Sequence, residues 1–281
     1  MKRILKFLIG IMFIIILTII YARFVGTLGF DTKEYALYED KLPLGFDGLK
    51  VVHFSDIHYN RAITLDKIAD IVDEINLINP DIVVFTGDLA DQDASLKDND
   101  WKSLTEHLKE IDAKYGKYAV LGNHDYKVKD EVLKVFKDSD FKYLENGYDI
   151  IYGQDDEKIF IGGIGNVTFN EDDIDKTMEY LKDNENVDYN IVLVHEPDLS
   201  DTVVKNYDVN LILAGHSHNG QIRLPFIGAV YTPNGSKKYY DEYYSIDKTH
   251  LYISSGVGVS VINYRLFNRP SINFYRINKS K

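Results

Sequence analysis

The sequence predicts an α/β sandwich with helices outside the sheets, preceded by one membrane-crossing helix. Three observations carry that expectation. Short apolar runs rich in β-branched residues alternate with stretches of helical periodicity, the pattern of strands covered on both faces. Residues 4–22 are almost wholly apolar and carry one charge, Lys6. Charge is unevenly divided: the 281 residues carry 32 Lys or Arg and 44 Asp or Glu, a formal net charge of -12, yet residues 1–30 hold Lys2, Arg3, Lys6 and Arg23 and no acid. Residues 31–281 therefore carry 28 basic against 44 acidic groups, or -16. So acidic a body excludes binding of nucleic acid by charge alone, because such binders need a basic footprint to displace counterions, and no nucleic-acid partner is expected. With no cysteine, disulfides, thiolate metal sites and thiol nucleophiles are excluded, while the compartment stays open.

The first element is the anchor. A helix over the 19 residues Ile4–Ala22 is about 28 Å long, enough to cross a bilayer. Lys2, Arg3 and Lys6 lie before or early in the run and only Arg23 follows closely, so the positive-inside rule puts the amino terminus in the cytoplasm and the body outside. A cleaved signal peptide is the competing reading, but its apolar core is usually shorter and no small-x-small site follows Ile20. A buried hairpin helix would need an amphipathic stripe, which is missing. The expected organisation is an anchor over 1–30, crossing at about 4–22, and one catalytic domain over 31–281.

In the body, residues 31–49 read as a first strand and a loop punctuated by Pro43, Gly45 and Gly48. Five apolar runs follow as buried strands: Val51–Phe54, Ile82–Phe85, Tyr118–Leu121, Ile191–Val194 and Leu211–Leu213. Leu65, Ile68, Val72, Ile75 and Ile78 form a helical face ending before Pro80, and Leu104, Leu108 and Ile111 a second, begun around Trp101. Residues 159–165, 251–254 and 272–277 read as further strands. There is no internal repeat and no linker, so one domain is the simpler count.

What ends each of the five runs carries the chemistry: Ser55-Asp56-Ile57-His58, Thr86-Gly87-Asp88, Gly122-Asn123-His124-Asp125, His195, and Gly215-His216-Ser217-His218. Ligands gather at the carboxyl ends of parallel strands, so the five groups are expected on one rim. Carboxylate, amide and imidazole without sulfur suit hard-to-borderline divalent ions, leaving Mn, Fe, Zn and Co open. In D-x-H and H-x-H on an extended segment, side chains two apart point the same way. Asp56, His58, Asp88, Asn123, His195, His216 and His218 make seven ligands, too many for one ion and suited to two sharing a carboxylate, the arrangement that clamps displacement at phosphorus. Two divalent ions against two carboxylates leave the centre positive, so it can hold a phosphate inside an acidic body.

This ordered set resembles the calcineurin-like metallophosphoesterases, and LKVVHFSDIH, NPDIVVFTGDL, YAVLGNHDY, AGHSHNGQIRLPFIG and YTPNGSKKYY are similar to their bacterial membrane-anchored branch over most of residues 45–277. The resemblance implies a four-layer α/β/β/α sandwich. It implies that Asp56, His58, Asp88 and His218 bind one metal and Asp88, Asn123, His195 and His216 the other, with Asp88 bridging. It implies His124 as the catalytic residue that meets the phosphate with Asn123 and protonates the leaving oxygen, Asp125 as the carboxylate that orients His124, and a metal-bridging hydroxide as nucleophile. The implied activity is hydrolysis of a phosphodiester or pyrophosphate, with a lipid-linked or cell-envelope substrate; a UDP-2,3-diacylglucosamine-type pyrophosphatase is one activity the resemblance makes available. The alternatives are a non-catalytic binding module on the same fold and a phosphomonoesterase or nucleotide phosphodiesterase with a soluble substrate.

Other residues have plainer readings beside the functional ones. Arg223 is a candidate substrate contact or a structural ion pair. Tyr231, Tyr239, Tyr240, Tyr243 and Tyr244 could cover a head group, but in a chain with 21 tyrosines they read first as surface packing. His53 in a strand, His107 on a helix and His250 in a polar turn are expected to be structural or solvated. The acidic runs Asp91–Asp100 and Glu171–Asp175 read as solvated loops or helix starts.

Overall fold

The computed structural model describes residues 2–91, 95–183 and 187–280. In chain order they form α1 (Lys2–Phe24), β1 (Asp31–Glu39), β2 (Leu49–Phe54), α2 (Leu65–Ile78), β3 (Ile82–Phe85), α3 (Asp98–Lys109), β4 (Lys117–Ala119) and α4 (Lys129–Asp138). There follow β5 (Phe141–Tyr143), β6 (Gly147–Tyr152), β7 (Lys158–Gly163), α5 (Ile174–Thr177), α6 (Glu179–Asp183), β8 (Tyr189–Leu193), α7 (Ser200–Asn206) and β9 (Leu211–Ala214). The chain closes with β10 (Arg223–Leu224), β11 (Gly228–Ala229), β12 (Tyr243–Ile246), β13 (Thr249–Ile253) and β14 (Ser271–Lys279).

Two six-stranded sheets result, in the orders β1-β14-β2-β3-β4-β5 and β12-β13-β9-β8-β7-β6. In the first, β2 to β5 run parallel; in the second, β7, β8, β9 and β13 do. Alternation along the strands sets the layers. Val52, Phe54, Val83 and Phe85 turn outward into a core with α2, α3 and α4, while Val51, Ile82 and Val84 turn inward. Ile191, Leu193, Leu211 and Leu213 meet these from the second sheet, and Val192, Ile212 and Ala214 face outward to a third core that includes Met178 and Val203. The expected four-layer α/β/β/α sandwich is observed, and strands whose two faces are both buried explain why the five runs lack a polar alternation.

Local chemistry fixes the helix ends. The hydroxyl of Thr64 accepts from the Lys67 amide at 3.4 Å to start α2, and Asn79, left-handed at φ 54, closes it before Pro80. α3 starts at Asp98, three residues ahead of Trp101, because the Asp100 carboxylate reaches back to the Lys97 amide at 2.8 Å. Part of the acidic run read from Asp91 to Asp100, residues 92–94, lies outside the described residues. β4 ends at Ala119, before Leu121, and His250 sits within β13 rather than in a turn.

α1 is exposed along its length except at its end, where Ala22 is buried. There the Ala22 carbonyl accepts the Arg265 amide at 2.9 Å, and an added Cβ on Gly26 would meet the Arg265 carbonyl. Lys67 Nζ then donates to the Thr27 carbonyl at 3.3 Å, and Arg269 Nη2 to that of Leu28 at 3.4 Å.

Candidate metal centre

The five motifs meet where the carboxyl ends of β2, β3 and β4 in one sheet face those of β8 and β9 in the other. Five of the expected ligands adopt positive φ without being glycine: Asp56 (51), His58 (45), Asp88 (59), His216 (66) and His218 (49). The D-x-H and H-x-H pairs are therefore not on extended backbone as expected. Each pair converges because both of its members are left-handed, a conformation that costs on the order of 1 kcal/mol or more per residue and persists where the surroundings impose it. Here they do: the amides of Asp56 and His58 donate to the carbonyls of Gly87 and Asp88 at 2.9 and 3.0 Å. Gly87 and Gly122 lie back to back. A Cβ on Gly87 would come 2.4 Å from the Gly122 nitrogen, and one on Gly122 2.1 Å from Asp88 Oδ1.

The side chains form two clusters, Asp56 with His58 and His218, and Asp88 with His195 and His216. Asp88 Oδ2 stands between them, 3.5 Å from His58 Nε2 and 3.4 Å from His195 Nε2. Asn123 Oδ1 lies 3.2 Å from His195 Nε2. All seven expected ligands are thus brought together.

The donor geometry fits cations. His195 Nδ1 is 2.7 Å from the Thr86 carbonyl and His216 Nε2 is 2.6 Å from that of Asn234, so in the neutral rings those nitrogens carry the protons. The remaining nitrogens, His195 Nε2 and His216 Nδ1, then point lone pairs at each other across 3.2 Å. His58 Nε2 and His218 Nε2 face each other across 3.2 Å as well. The His195–His216 contact repels unless positive charge lies between the two nitrogens, whereas Arg265, donating to His218 Nδ1, leaves the proton on His218 Nε2, from which it can be donated to His58. The ionisation of the chain alone expresses the same need. Burial would keep His195 neutral, but the Asp88 carboxylate outweighs burial and pushes its ring up to about 10. Burial would also raise Asp88, yet His195 and His58 hold it well below the usual carboxylate range.

Asp125 does not orient His124. Its carboxylate accepts the backbone amides of Asp88 (2.9 Å), Leu89 (2.8 Å), Ala90 (3.2 Å) and Gly122 (2.9 Å), so it ties the Gly-Asp loop to the Gly-Asn-His-Asp loop. The His124 amide in turn donates to Asp88 Oδ1 at 2.9 Å. Within the His124 ring, Nδ1 is buried without a partner. The carboxylate that groups with His124 is Asp91, which joins it and His58 in a third cluster and lies 3.7 Å from His58 Nδ1. Sequence reading missed Asp91; its signal was a second acid three residues after Asp88.

Arg223 also departs from expectation. Its Nη1 donates to the Asn219 carbonyl at 2.7 Å and its Nη2 to Asp241 at 2.6 Å, and it lines a cavity beside the end of α1 rather than the one beside His124. The other arginine near the centre is Arg265, fully buried with its guanidinium donating to the carbonyls of Ser255 (2.6 Å), Gly256 (3.1 Å) and Gly258 (2.7 Å), and 3.3 Å from His218 Nδ1. In the aromatic loop, Tyr239 is buried with its hydroxyl on Asp201 at 2.7 Å, and Tyr244 accepts the amides of Tyr240 and Asp241, so packing prevails there. Tyr243 is exposed but packs on His250 and Tyr252, while Tyr231 stands apart from the group. It is exposed and lines a cleft of about 580 Å³ onto which Asp88, Asn123, His124, His216 and His218 open, walled opposite by Gln221, Ile222, Val230 and residues 260–262.

Residues 49–220 match the family described as Calcineurin-like phosphoesterase. The uncharacterized metallophosphoesterase YkuE of Bacillus subtilis is 32% identical over 259 residues, covering 92% of this chain and 88% of its own. The phosphodiesterase YaeI of Escherichia coli is 27% identical over 232 residues, covering 81% of this chain and 82% of its own. Among solved structures, the sulfate thiohydrolase SoxB of Thermus thermophilus superposes with a TM-score of 0.51 at 13% identity, over 77% of this chain and 53% of that one, so the chain spans about half of that molecule and shares its fold.

Proposed function

The chain belongs to the calcineurin-like phosphoesterase family, metal-dependent hydrolases of phosphoric esters that use two divalent ions, and from that premise we propose a membrane-anchored enzyme that cleaves phosphodiester or pyrophosphate bonds. We assign Asp56, His58, Asp88 and His218 to one ion and Asp88, Asn123, His195 and His216 to the other. The observation that carries the assignment is the gathering of the donors into two clusters on either side of Asp88, with His195 Nε2 and His216 Nδ1 facing each other across 3.2 Å.

When bound, two such ions activate water and neutralise charge on phosphoryl oxygens. The chain's own groups do the rest. Asp88 sets the spacing of the two clusters, Asp125 holds the Asp88 loop by three amides and its own loop by a fourth, and the carbonyls of Thr86 and Asn234 fix the tautomers of His195 and His216. His124, with Nδ1 buried, turns Nε2 to the cleft, where an N–H can donate to a phosphoryl oxygen and pass its proton to the leaving oxygen. The name of the YaeI relative supports a diester substrate.

α1 is 23 residues long and contains an 18-residue window with a mean hydropathy of 2.7, long and apolar enough to cross a membrane. With Lys2, Arg3 and Lys6 on the inner side, the catalytic domain over 31–281 faces outward, where membrane- or envelope-borne phosphoesters are the available substrates. The test uses the full chain in detergent with added Mn²⁺ and bis-p-nitrophenyl phosphate. Metal-dependent hydrolysis is expected, and His124→Ala should lower its rate by about 100-fold or more while leaving metal content unchanged. A His124→Ala protein as active as its parent would sink the assignment.

A further inference from the structure

Beyond residue 30, fifteen large apolar side chains are exposed among the described residues, and eight of them fall in residues 224–231 and 261–267. Phe226 is fully exposed at the tip of the β10–β11 hairpin, and Ile227, Val261 and Phe267 are each about two-thirds exposed or more. The two segments make one ledge. Ile222 bridges Leu266, and the Arg223 amide donates to the Leu266 carbonyl at 2.9 Å. The Gln221 side chain clamps the second segment by donating to the Ile262 carbonyl at 2.8 Å and accepting the Ser260 amide at 2.8 Å. So well-built an apolar projection is not a loose loop, and a patch of this kind on a monomer marks an interaction surface.

We propose that this ledge seats in the membrane interface beside α1, so that the metal centre opens at the level of the lipid head groups and takes its phosphoester from an amphiphile lying there. The inference rests on the reading of α1 as the membrane helix. Continuity argues for lipid as the occupant: the amide of Arg265, between Ile262 and Phe267 in the ledge, is hydrogen-bonded to the carbonyl of Ala22 in the last turn of α1. That bond holds the ledge at the height where the helix leaves the apolar phase. Charge agrees. The ledge segments belong to the stretches 209–240 and 249–281, which contain no Asp or Glu although the chain has 44. The nearby Arg223 and Arg269 are paired with Asp241 and Asp31, so the ledge itself meets the lipid surface as an apolar face without an acidic side chain of its own. Finally, Ile222, Val230, Val261 and Ile262 are at once part of the ledge and a wall of the cleft that holds His124, so acyl chains and a phosphate would be received side by side.

The chain has no cysteine, so single labels can be placed freely. Phe226→Cys, Phe267→Cys and, as reference, Gln154→Cys in the β6–β7 turn at the opposite end of the sandwich are labelled with an environment-sensitive fluorophore in full-length protein. The protein is reconstituted in phosphatidylcholine–phosphatidylglycerol vesicles. The labels at 226 and 267 should be quenched by lipids carrying doxyl groups near the head group and be at least about threefold less accessible to iodide than the label at 154. Equal iodide access at all three sites would overturn the proposal, as would a blue shift without doxyl quenching, which marks a protein partner such as a second copy. In a second arm, Phe226→Ser with Phe267→Ser should lower hydrolysis of vesicle-borne hexadecyl p-nitrophenyl phosphate about tenfold relative to bis-p-nitrophenyl phosphate. An unchanged ratio would overturn the substrate class. The depth measurement reads the ledge whatever the hydrolysis rates, so failure of the phosphoesterase assignment is separable from failure of this one.

Discussion

His53 shows how a residue of the same type as the ligands can have a different task. Within β2 it is fully buried, 2.8 Å from Thr86 Oγ1 and 3.4 Å from the Tyr275 hydroxyl, and burial pushes its ring down to about 3. The folded chain thus keeps it neutral at pH values where the unfolded chain, with an ordinary imidazole near 6.5, takes up a proton. The contribution to stability is present above about pH 6.5 and is lost as pH falls from there toward 3, at up to about 1.4 kcal/mol per pH unit. Urea midpoints measured between pH 7 and 5 should fall more steeply for the parent than for His53→Gln. Parallel slopes would show that His53 is protonated in the fold. Side-chain identity told which histidines to separate, because five follow strand ends in order while His53 lies inside an apolar run. It could not tell what Asp125 touches, since its partners at 88–90 are brought to it by the pairing of β3 with β4. Nor could it tell which carboxylate approaches His124.

At the scale of elements, runs that are apolar on both faces were legible because burial in a two-sheet sandwich removes any polar alternation. The short edge strands β5, β6 and β12, the helix α4 with its acid-rich start and the brief α7 were not legible, because half of each meets solvent and their patterns are weak. The turns at the strand ends explain the glycines. Gly122 has an ordinary φ, so its constraint is space alone: a methyl there would collide with Asp88 Oδ1 and its amide. Gly122→Ala should leave the far-ultraviolet circular dichroism of the parent intact while displacing Asp88, lowering bound metal and reducing activity about a hundredfold, as misplacements near 1 Å do. A variant with full metal content and parental activity would mean that the Asp88 loop has slack the packing does not show.

For the whole molecule, ions bound as proposed would join the two halves of the sandwich, since each cluster draws its side chains from both sheets: Asp56 and His58 with His218, and Asp88 with His195 and His216. Ions at about 100 times their dissociation constant would stabilise the fold by about 2.7 kcal/mol. For a chain of this size that is about 5–10 °C in Tm, to be lost on chelation and regained with Mn²⁺. A Tm indifferent to chelator would place the ions elsewhere. The division of charge that separates residues 1–30 from the rest has a third part in the sequence, the acid-free stretches 209–240 and 249–281 that carry the ledge, which the net charge of the body conceals.

β1 follows α1 closely, yet it pairs only with β14, in parallel register from Asp31 with Ser271 to Glu39 with Lys279, and β14 is what joins it to β2. During synthesis, β1 therefore leaves the ribosome well before its partner and waits for about 240 residues. Contacts of such long separation form late. The first sheet cannot close until β14 has been made, so a chain cut short before residue 271 leaves an unpaired edge on both β1 and β2, open to proteases and to aggregation.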